Sequence, residues 1–124
     1  MAYSNPEVQK AYLKKHYAEN KQDYIDRSRI ANDRRRLEQR KMVWDYLTHH
    51  PCVECGESDP IVLEFDHQVP ADKHLAISNL VNRAGSIKKL MAEIEKCHVL
   101  CANCHRRKTA KQFGYYAYTV QPPL

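Results

Sequence analysis

Four cysteines form two pairs with the spacing of metal ligands. Cys52 and Cys55 make one C-x2-C motif, and Cys101 and Cys104 make a second. Two such motifs supply the four thiolates of a tetrahedral zinc site. A single C-x2-C motif can also be a redox pair, but two of them in a small basic chain without a βαβ pattern favour zinc. We therefore predict a structural zinc ion bound by these four cysteines.

Zinc would also stabilise a chain of this size. Structural zinc contributes about 10 to 16 kcal/mol of apparent binding free energy, which is realised as folding free energy. Because the predicted site joins residue 52 to residue 104, we expect the second half of the chain to unfold without metal. The fifth cysteine, Cys97, has no partner motif, and we interpret it as a small buried hydrophobic residue.

A second set of chemically capable residues consists of Asp66, His67 and His105. His105 follows Cys104 directly, and consecutive helix residues diverge by about 100°, so a helix here would turn His105 away from the zinc. Asp66 and His67 end the strand-like segment "IVLEFDH", and neighbouring strand residues point to opposite faces. One of the two can then meet His105 across a metal ion, while the other is left to act as a general base near pH 7.

The same residues also have a purely structural interpretation. Asp66 would then cap a turn, and His67 would be a hydrogen-bonded core histidine. For an arbitrary Asp-His pair we would prefer that interpretation. Here the pair lies between two cysteine motifs, with a third polar ligand at His105, and this context favours a functional role.

Helix and strand signals predict the elements that position these residues. Asn5-Pro6-Glu7 is typical of a helix start, and no glycine or internal proline interrupts the chain up to Pro51. We therefore predict helix over most of residues 6–48, with a break near residues 20–23. Residues at a spacing of seven predict a packing stripe on the later part of this helix. They are Ile30, Leu37 and Trp44, with Val43 and Leu47, four residues apart, beside them.

The segment after Pro51 alternates short strands and helices. "IVLEFDH" is predicted to form a strand, and "HVL" a return strand that leads to the second cysteine motif. Between them, Ser86 is predicted to cap a helix that contains Leu90 and Ile94. A last helix is predicted from Ala102 onward.

The charge distribution indicates an anionic partner. The chain has 20 Lys and Arg against 15 Asp and Glu, a net charge of +5 and a pI near 9.0, which favours nucleic acid or membrane phosphate. The segment "RSRIANDRRRLEQRK" holds seven basic residues and is either a solvated helix face or a phosphate contact. The predicted DNA-contact residues are Arg34, Arg35, Arg36 and Arg40 in this segment and Arg106, Arg107 and Lys108 after the second cysteine motif.

No segment is typical of a membrane span or a secretory signal. The longest conspicuously apolar run is Ile61–Phe65, far below the roughly 20 residues that span a bilayer. "MAYSNPEVQK" lacks the apolar region of a signal peptide. We therefore expect a cytoplasmic protein without a membrane partner.

The order of these motifs resembles the HNH endonuclease family. The resemblance rests on C-x2-C, a strand ending in Asp-His, and C-x2-C-His followed by basic residues, over about residues 51–112. It implies an α+β fold with a ββα-metal core and a structural four-cysteine zinc site, preceded by basic α-helices as in phage-type members. It further implies that Asp66 and His105 hold a catalytic divalent cation and that His67 is the general base. Mg2+ or Mn2+ is the default cation beside a carboxylate, and the imidazole also admits Ni2+, Co2+ or Zn2+.

The resemblance divides the chain into three segments. Residues 1–50 would be a basic helical extension that contacts DNA, residues 51–112 the nuclease core, and residues 113–124 a tail that packs on the core. The family's middle asparagine has no counterpart just before the second cysteine motif, where the chain has Lys96. Asn79 and Asn103 are the two candidates for its role, and Asn103 is the closer to His105 in sequence.

Three functional hypotheses follow. The first is a metal-dependent DNA endonuclease that nicks or cuts with low sequence specificity, because phosphate contacts carry no base information. The alternative is a zinc-stabilised nucleic-acid-binding module that does not cut, as part of a phage packaging or recombination assembly. The third, which can coexist with the first, is a scaffold or adaptor within such an assembly, and for all three we expect the cytoplasm of a bacterium or a phage-infected host.

Overall fold

The computed structural model describes residues 5–115, which have an α+β fold. The α-helices of this part are α1 (Pro6–Glu19), α2 (Lys21–His49), α3 (Ile77–Asn82), α4 (Ile87–Ile94) and α5 (Ala102–Phe113). Strands β1 (Leu63–His67) and β2 (Cys97–Cys101) form one antiparallel sheet. The predicted α+β class is confirmed, and residues 116–124 of the predicted tail lie outside the described residues.

The N-terminal helices begin and break where the sequence predicts. The Asn5 side chain accepts a hydrogen bond from the backbone of Glu7 at 2.9 Å, and proline occupies the first turn of α1. At Asn20 the chain leaves α1, and the backbone N–H of Asn20 donates to the carbonyl oxygens of His16 and Tyr17. Helix α2 then runs to His49, just before Pro51.

Two compact units make up the chain, one up to Arg35 and one from Arg36 onward. The second unit therefore begins inside α2, whereas the sequence prediction set a boundary at residue 50. The reason is that the last turns of α2 pack on the hydrophobic core: Leu47 is buried in it, and Val43 and Tyr46 pack against it.

The predicted packing stripe of α2 is confirmed at Val43 and Leu47, which pack on the core, and wrong at its residues with a spacing of seven. Ile30, Leu37 and Trp44 are 62%, 53% and 47% exposed. The buried residues of α2 are Gln39 and Leu47, which share a face of the helix two turns apart. Gln39 is accommodated there because its Nε2 donates to the carbonyl oxygen of Gly85 at 2.6 Å.

The sheet is short and has a fixed register. In that register Leu63 pairs with Cys101, Asp66 with His98 and His67 with Cys97. Strand β1 begins two residues later than "IVLEFDH" predicts, because Pro60–Val62 forms a 3-10 turn capped by the Asp59 side chain.

The core of the described residues consists of two clusters, and Val43, Tyr46 and Phe65 pack against both. One contains Leu47, Cys52, Leu63, Val99, Leu100 and Cys101, and the other Ile77, Val81, Leu90 and Ile94. Ser86 caps α4 as predicted, since its Oγ accepts from the backbone of Lys89 at 3.1 Å. Across residues 5–115, none of the helices combines the length and apolar character that a bilayer span requires.

Candidate functional site

The four cysteines of the two motifs lie together. The sulfur atoms of Cys52, Cys55, Cys101 and Cys104 are all within 4.8 Å of one another, and Cys55 Sγ is 3.7 Å from Cys101 Sγ. A tetrahedral zinc ion with bonds of about 2.3 Å holds its sulfur ligands about 3.8 Å apart. The cluster therefore fits a structural metal such as zinc.

The first cysteine motif is a tight loop. The backbone N–H of Gly56 donates to the carbonyl of Cys52, and the N–H of Cys52 donates to the carbonyl of Glu57, both at 2.9 Å. This turn requires Gly56 at φ +80°, a conformation that L side chains adopt at a cost. Val53 ties the loop to β2 by a 3.0 Å bond from its N–H to the carbonyl of Val99.

The second cysteine motif is the junction between β2 and α5. Cys101 is the last residue of β2 and also the N-cap of α5. Its Sγ accepts a hydrogen bond from the backbone N–H of Cys104 at 3.4 Å. The sheet and the helix therefore hold the two cysteines on one side of this junction.

The thiols of this cluster affect one another's ionisation. Burial would raise the pKa of Cys52, but hydrogen bonds from the backbone N–H groups of Cys101, Cys55 and Glu54 outweigh it and lower the pKa to about 6. The hydrogen bond shared with the Cys101 thiol, together with burial, raises the pKa of Cys104 to about 12. A bound divalent cation would stabilise the four thiolates together.

Cys97 behaves as the sequence predicts. It is buried, and its Sγ donates to the carbonyl of Glu93 at 3.5 Å. Burial first, and then the nearby carboxylates of Glu93 and Asp66, raise its pKa to about 11. Cys97 is therefore a neutral thiol of the core and does not belong to the metal cluster.

A polar cluster joins β1 to α5. His105 Nε2 lies 3.4 Å from Asp66 Oδ1, and His105 Nδ1 lies 2.6 Å from Glu64 Oε2. Lys108 Nζ forms an ion pair with Asp66 Oδ2. Glu64 and Asp66 share a face of β1 because they are two residues apart, and His105 and Lys108 are one turn apart on α5. The structure thus brings the predicted pair Asp66 and His105 together.

Both nitrogens of His105 face a carboxylate, and the contact with Glu64 is the shorter one. A carboxylate only accepts hydrogen bonds, so a neutral His105 that donates from Nδ1 to Glu64 would present Nε2 to a cation beside Asp66. Adjacent ligands of an octahedral Mg2+ ion, with bonds of about 2.1 Å, lie about 3.0 Å apart. The 3.4 Å separation between Asp66 Oδ1 and His105 Nε2 is close to that value.

This pair supplies two protein ligands. Among the described residues, the four cysteines are the only group of three or more His, Cys, Asp or Glu whose ligand atoms are close enough for one ion. A cation held by Asp66 and His105 would complete its shell with water and substrate oxygens, which is typical of Mg2+ beside phosphate.

His67 lies on the opposite face of β1 from Asp66 and contacts α4. Its Nε2 is 2.7 Å from Glu93 Oε1, and the two side chains are 10% and 4% exposed. Since the carboxylate accepts, the proton of neutral His67 lies on Nε2 and its Nδ1 is the basic nitrogen. Asp66 and His67 therefore have separate partners, as the alternation of a strand predicts.

Glu93 is a buried hydrogen-bond hub that the sequence analysis missed. Besides His67, its carboxylate accepts from the backbone N–H of His74 and from Lys96 Nζ, each at 2.9 Å. Burial would raise its pKa, but these bonds, with that of Lys96 the strongest, outweigh it and lower the pKa to about 2. Glu93 is thus ionised at neutral pH.

The remaining predicted site residues lie on helix surfaces. Asn103 is exposed in the first turn of α5 and, with Glu64, His105 and Arg106, lines a cleft of about 880 Å3. Arg107 and Lys108 are exposed and line a second cleft of about 280 Å3. The cations of α5 therefore lie beside the polar cluster.

The predicted arginines of α2 differ from one another. Arg34 and Arg35 are exposed and belong to the first compact unit. Arg36 is half-buried, and its Nε donates to the carbonyl oxygen of Asn82 at 2.9 Å. Arg40 is exposed at the edge of an apolar groove next to Trp44. Arg36 therefore also has a structural role.

Comparison with known proteins identifies no relative of this chain. No protein-family model, curated protein or solved structure matches the chain. The residues and contacts of the chain itself are therefore the basis for its proposed function.

Proposed function

We propose that this chain is a metal-dependent DNA endonuclease of the HNH type, with β1, β2 and α5 as its ββα-metal core. The observation that carries the proposal is that two polar pairs lie on opposite faces of β1. Asp66 contacts His105 on one face, and His67 is hydrogen-bonded to Glu93 on the other. The adjacent four-cysteine cluster, which fits zinc, would hold β2, α5 and the first cysteine loop in place.

Asp66 and His105 would hold the catalytic cation, Mg2+ or Mn2+ by default and Ni2+, Co2+ or Zn2+ as alternatives. When bound there, a divalent cation stabilises the negative charge that develops on the phosphate and on the leaving oxygen. Glu64 supports this role because its bond to Nδ1 orients the His105 ring.

His67 would act as the general base. Its Nδ1 accepts a proton from the attacking water, the water oxygen forms a new bond to phosphorus, and the bond between phosphorus and the leaving oxygen breaks. The imidazolium that forms is stabilised by the ionised carboxylate of Glu93. This assignment uses the nitrogen that the hydrogen bond to Glu93 would leave unprotonated.

Arg106, Arg107 and Lys108 would bind the DNA backbone beside the site. No acidic residue occurs from Arg106 to Lys111, and these three side chains belong to exposed residues. Arg34, Arg35 and Arg40 would add phosphate contacts from α2. Because such contacts do not read bases, we expect weak sequence preference.

One observation favours the alternative, a nucleic-acid-binding module that does not cut. The ammonium group of Lys108 pairs with the carboxylate of Asp66, which is the position where a catalytic cation would bind. In the endonuclease, Lys108 would transfer to the DNA phosphate when the cation binds. In the module without activity, it would remain on Asp66.

Plasmid cleavage tests the proposal. Supercoiled plasmid is incubated with zinc-loaded protein in EDTA and then with Mg2+ or Mn2+, and nicked and linear forms are measured. We expect metal-dependent cleavage by the wild type and by His49→Ala, an exposed histidine of α2, and none by His67→Ala with full zinc content. Binding without cleavage under all metals would support the non-cutting module instead.

A further inference from the structure

We propose that Glu93 is the positioning residue for the general base, in place of the asparagine that the chain lacks before its second cysteine motif. The inference rests on the proposed role of His67. It assigns to Glu93 the task of keeping the His67 ring in one orientation and one tautomer, with Nδ1 available to the attacking water.

Both oxygens of the Glu93 carboxylate have fixed partners. Oε1 accepts from His67 Nε2 at 2.7 Å and from the backbone N–H of His74 at 2.9 Å. Oε2 accepts from Lys96 Nζ at 2.9 Å, and the same ammonium group donates to the carbonyl oxygen of Asp72 at 2.8 Å. The carboxylate therefore cannot rotate without losing at least one of these bonds.

The end of β1 is fixed to the same network. The backbone N–H of Gln68, the residue after His67, donates to the carbonyl oxygen of Lys96 at 3.2 Å. His67 is thus held through its ring by Glu93 of α4 and through its backbone neighbour by Lys96, just after α4. This double attachment restricts the imidazole more than a surface hydrogen bond would.

The position of Glu93 on α4 is unusual for a carboxylate. It lies on the buried face with Leu90 and Ile94, which are 1% and 0% exposed. Burying a carboxylate is costly unless it is fully hydrogen-bonded, and an apolar residue would otherwise suit this face. A purely structural role of Glu93 would be to connect the loop at residues 72–74 to α4. Substitutions of Glu93 distinguish this role from that of positioning the base.

The orientation has a chemical consequence. Because the carboxylate only accepts, it keeps the proton of neutral His67 on Nε2. Its negative charge also lies next to the ring that becomes cationic when Nδ1 takes the proton from water. Glu93 would therefore act through His67 without touching the DNA.

Three variants test this role. Glu93→Gln keeps an oxygen that can accept from His67 but removes the charge, and Glu93→Ala removes both. Glu95→Gln is the matched control, because Glu95 is exposed one residue beyond α4. Single-turnover cleavage of a short duplex in Mn2+ is measured beside DNA affinity in EDTA, zinc content and far-UV circular dichroism.

We expect the cleavage rate to fall about tenfold in Glu93→Gln and about 100-fold in Glu93→Ala, with DNA affinity and zinc content unchanged. Glu95→Gln should cut at the wild-type rate. If Glu93→Ala does not fold, the near-isosteric Glu93→Gln carries the kinetic test. A wild-type rate in folded Glu93→Gln and Glu93→Ala, while His67→Ala is inactive, would overturn the role of Glu93 and leave the endonuclease proposal intact.

The tautomer of His67 provides a readout that does not depend on cleavage. Long-range 15N–1H spectra should show neutral His67 protonated at Nε2 in the wild type and in Glu95→Gln, and a mixture of tautomers in Glu93→Ala. A mixture already present in the wild type would overturn the inference. If wild type and all variants fail to cut DNA, the endonuclease proposal and the positioning of a base both fail, and the spectra then describe a structural contact.

Discussion

Two glutamates each bond to one histidine nitrogen and so select the nitrogen that is free for chemistry. Glu64 bonds to Nδ1 of His105, and Glu93 bonds to Nε2 of His67. In the proposed endonuclease, the two histidines would therefore present different atoms, Nε2 of His105 toward a cation and Nδ1 of His67 toward water. One short strand would then position both a metal ligand and a base.

The contribution of Glu64 can be measured as metal affinity. We expect Glu64→Ala to weaken Mn2+ binding to the zinc-loaded protein by about tenfold, because His105 loses the bond that orients its ring. Isothermal titration calorimetry measures the affinity, and Glu95→Ala is the exposed control. Unchanged Mn2+ affinity in Glu64→Ala would show that Glu64 does not support this ligand.

The ionisation of Glu93 predicts a pH dependence of stability. Its pKa is about 2 in the folded chain, because hydrogen bonds outweigh burial, against an ordinary value of 4.5. Its stabilising contribution is thus fully present above about pH 4.5 and is lost as the pH falls toward about 2. Glu93→Gln lacks this contribution.

The measurement is the difference in the free energy of unfolding in urea between wild type and Glu93→Gln. It should be largest near neutral pH and should narrow below about pH 4.5. Taking the difference cancels the acid protonation of the zinc ligands, which both proteins share. A difference that stays constant down to the lowest pH at which both proteins fold would contradict the lowered pKa.

Residue spacing predicts one part of the site and misses another. Local motifs predict the cysteine cluster and single out Asp66, His67 and His105. They do not single out Glu93, because its contact with His67 depends on α4 packing against the end of β1, and the two residues are 26 positions apart in sequence. Glu93 could have been recognised as an acidic residue at a core position of the helix, between Leu90 and Ile94. Glu64 could have been recognised because it shares a face of the strand with Asp66.

Among the secondary-structure elements, the junctions between helices, strands and loops position the cysteine cluster more than the lengths of the elements do. The β2 to α5 junction places Cys101 and Cys104 on the metal cluster, and the loop at Gly56 brings Cys52 and Cys55 to it. The residues of α2 with a spacing of seven predicted the wrong face, because a period of seven does not say which face a partner covers. The rest of the fold covers Val43 and Leu47, which the sequence placed beside those residues, together with Gln39.

The loop of the first cysteine motif depends on one glycine. A methyl group at Gly56 would meet no atom within 4 Å, but the φ of +80° would strain any L residue. We expect Gly56→Ala to lower the free energy of unfolding of the zinc-loaded protein by about 1 kcal/mol. The effect is measured by urea denaturation.

Gly85→Ala is the matched control for this prediction. Its added methyl group also has open space, and its backbone has no positive φ. It should change the free energy of unfolding by much less than Gly56→Ala. Equal effects of the two substitutions would show that backbone strain at Gly56 is not the cause.

At the scale of the whole molecule, metal binding and folding should be coupled. An isolated two-stranded sheet is marginally stable at best, and the cluster that contains Leu47 and Leu63 also contains the ligands Cys52 and Cys101. Losing the metal would therefore disturb this core directly.

Metal removal tests that coupling. We expect a strong zinc chelator to abolish the cooperative thermal transition of the region from Arg36 onward, and Cys52→Ser to behave like the chelated wild type. Cys97→Ala should retain zinc, since Cys97 lies outside the cluster. Circular dichroism and metal analysis provide the readouts, and a metal-free wild type that melts like the zinc-loaded one would refute the coupling.

The proposed catalytic metal site is tested most directly by the Mn2+ dependence of DNA cleavage by protein that carries one zinc ion per chain. We expect no cleavage without added Mn2+, saturable cleavage with it, and loss of cleavage in Asp66→Asn and His105→Ala at unchanged zinc content. Cleavage that needs no second cation, or that persists in both variants, would contradict the assignment of Asp66 and His105 as the catalytic metal site.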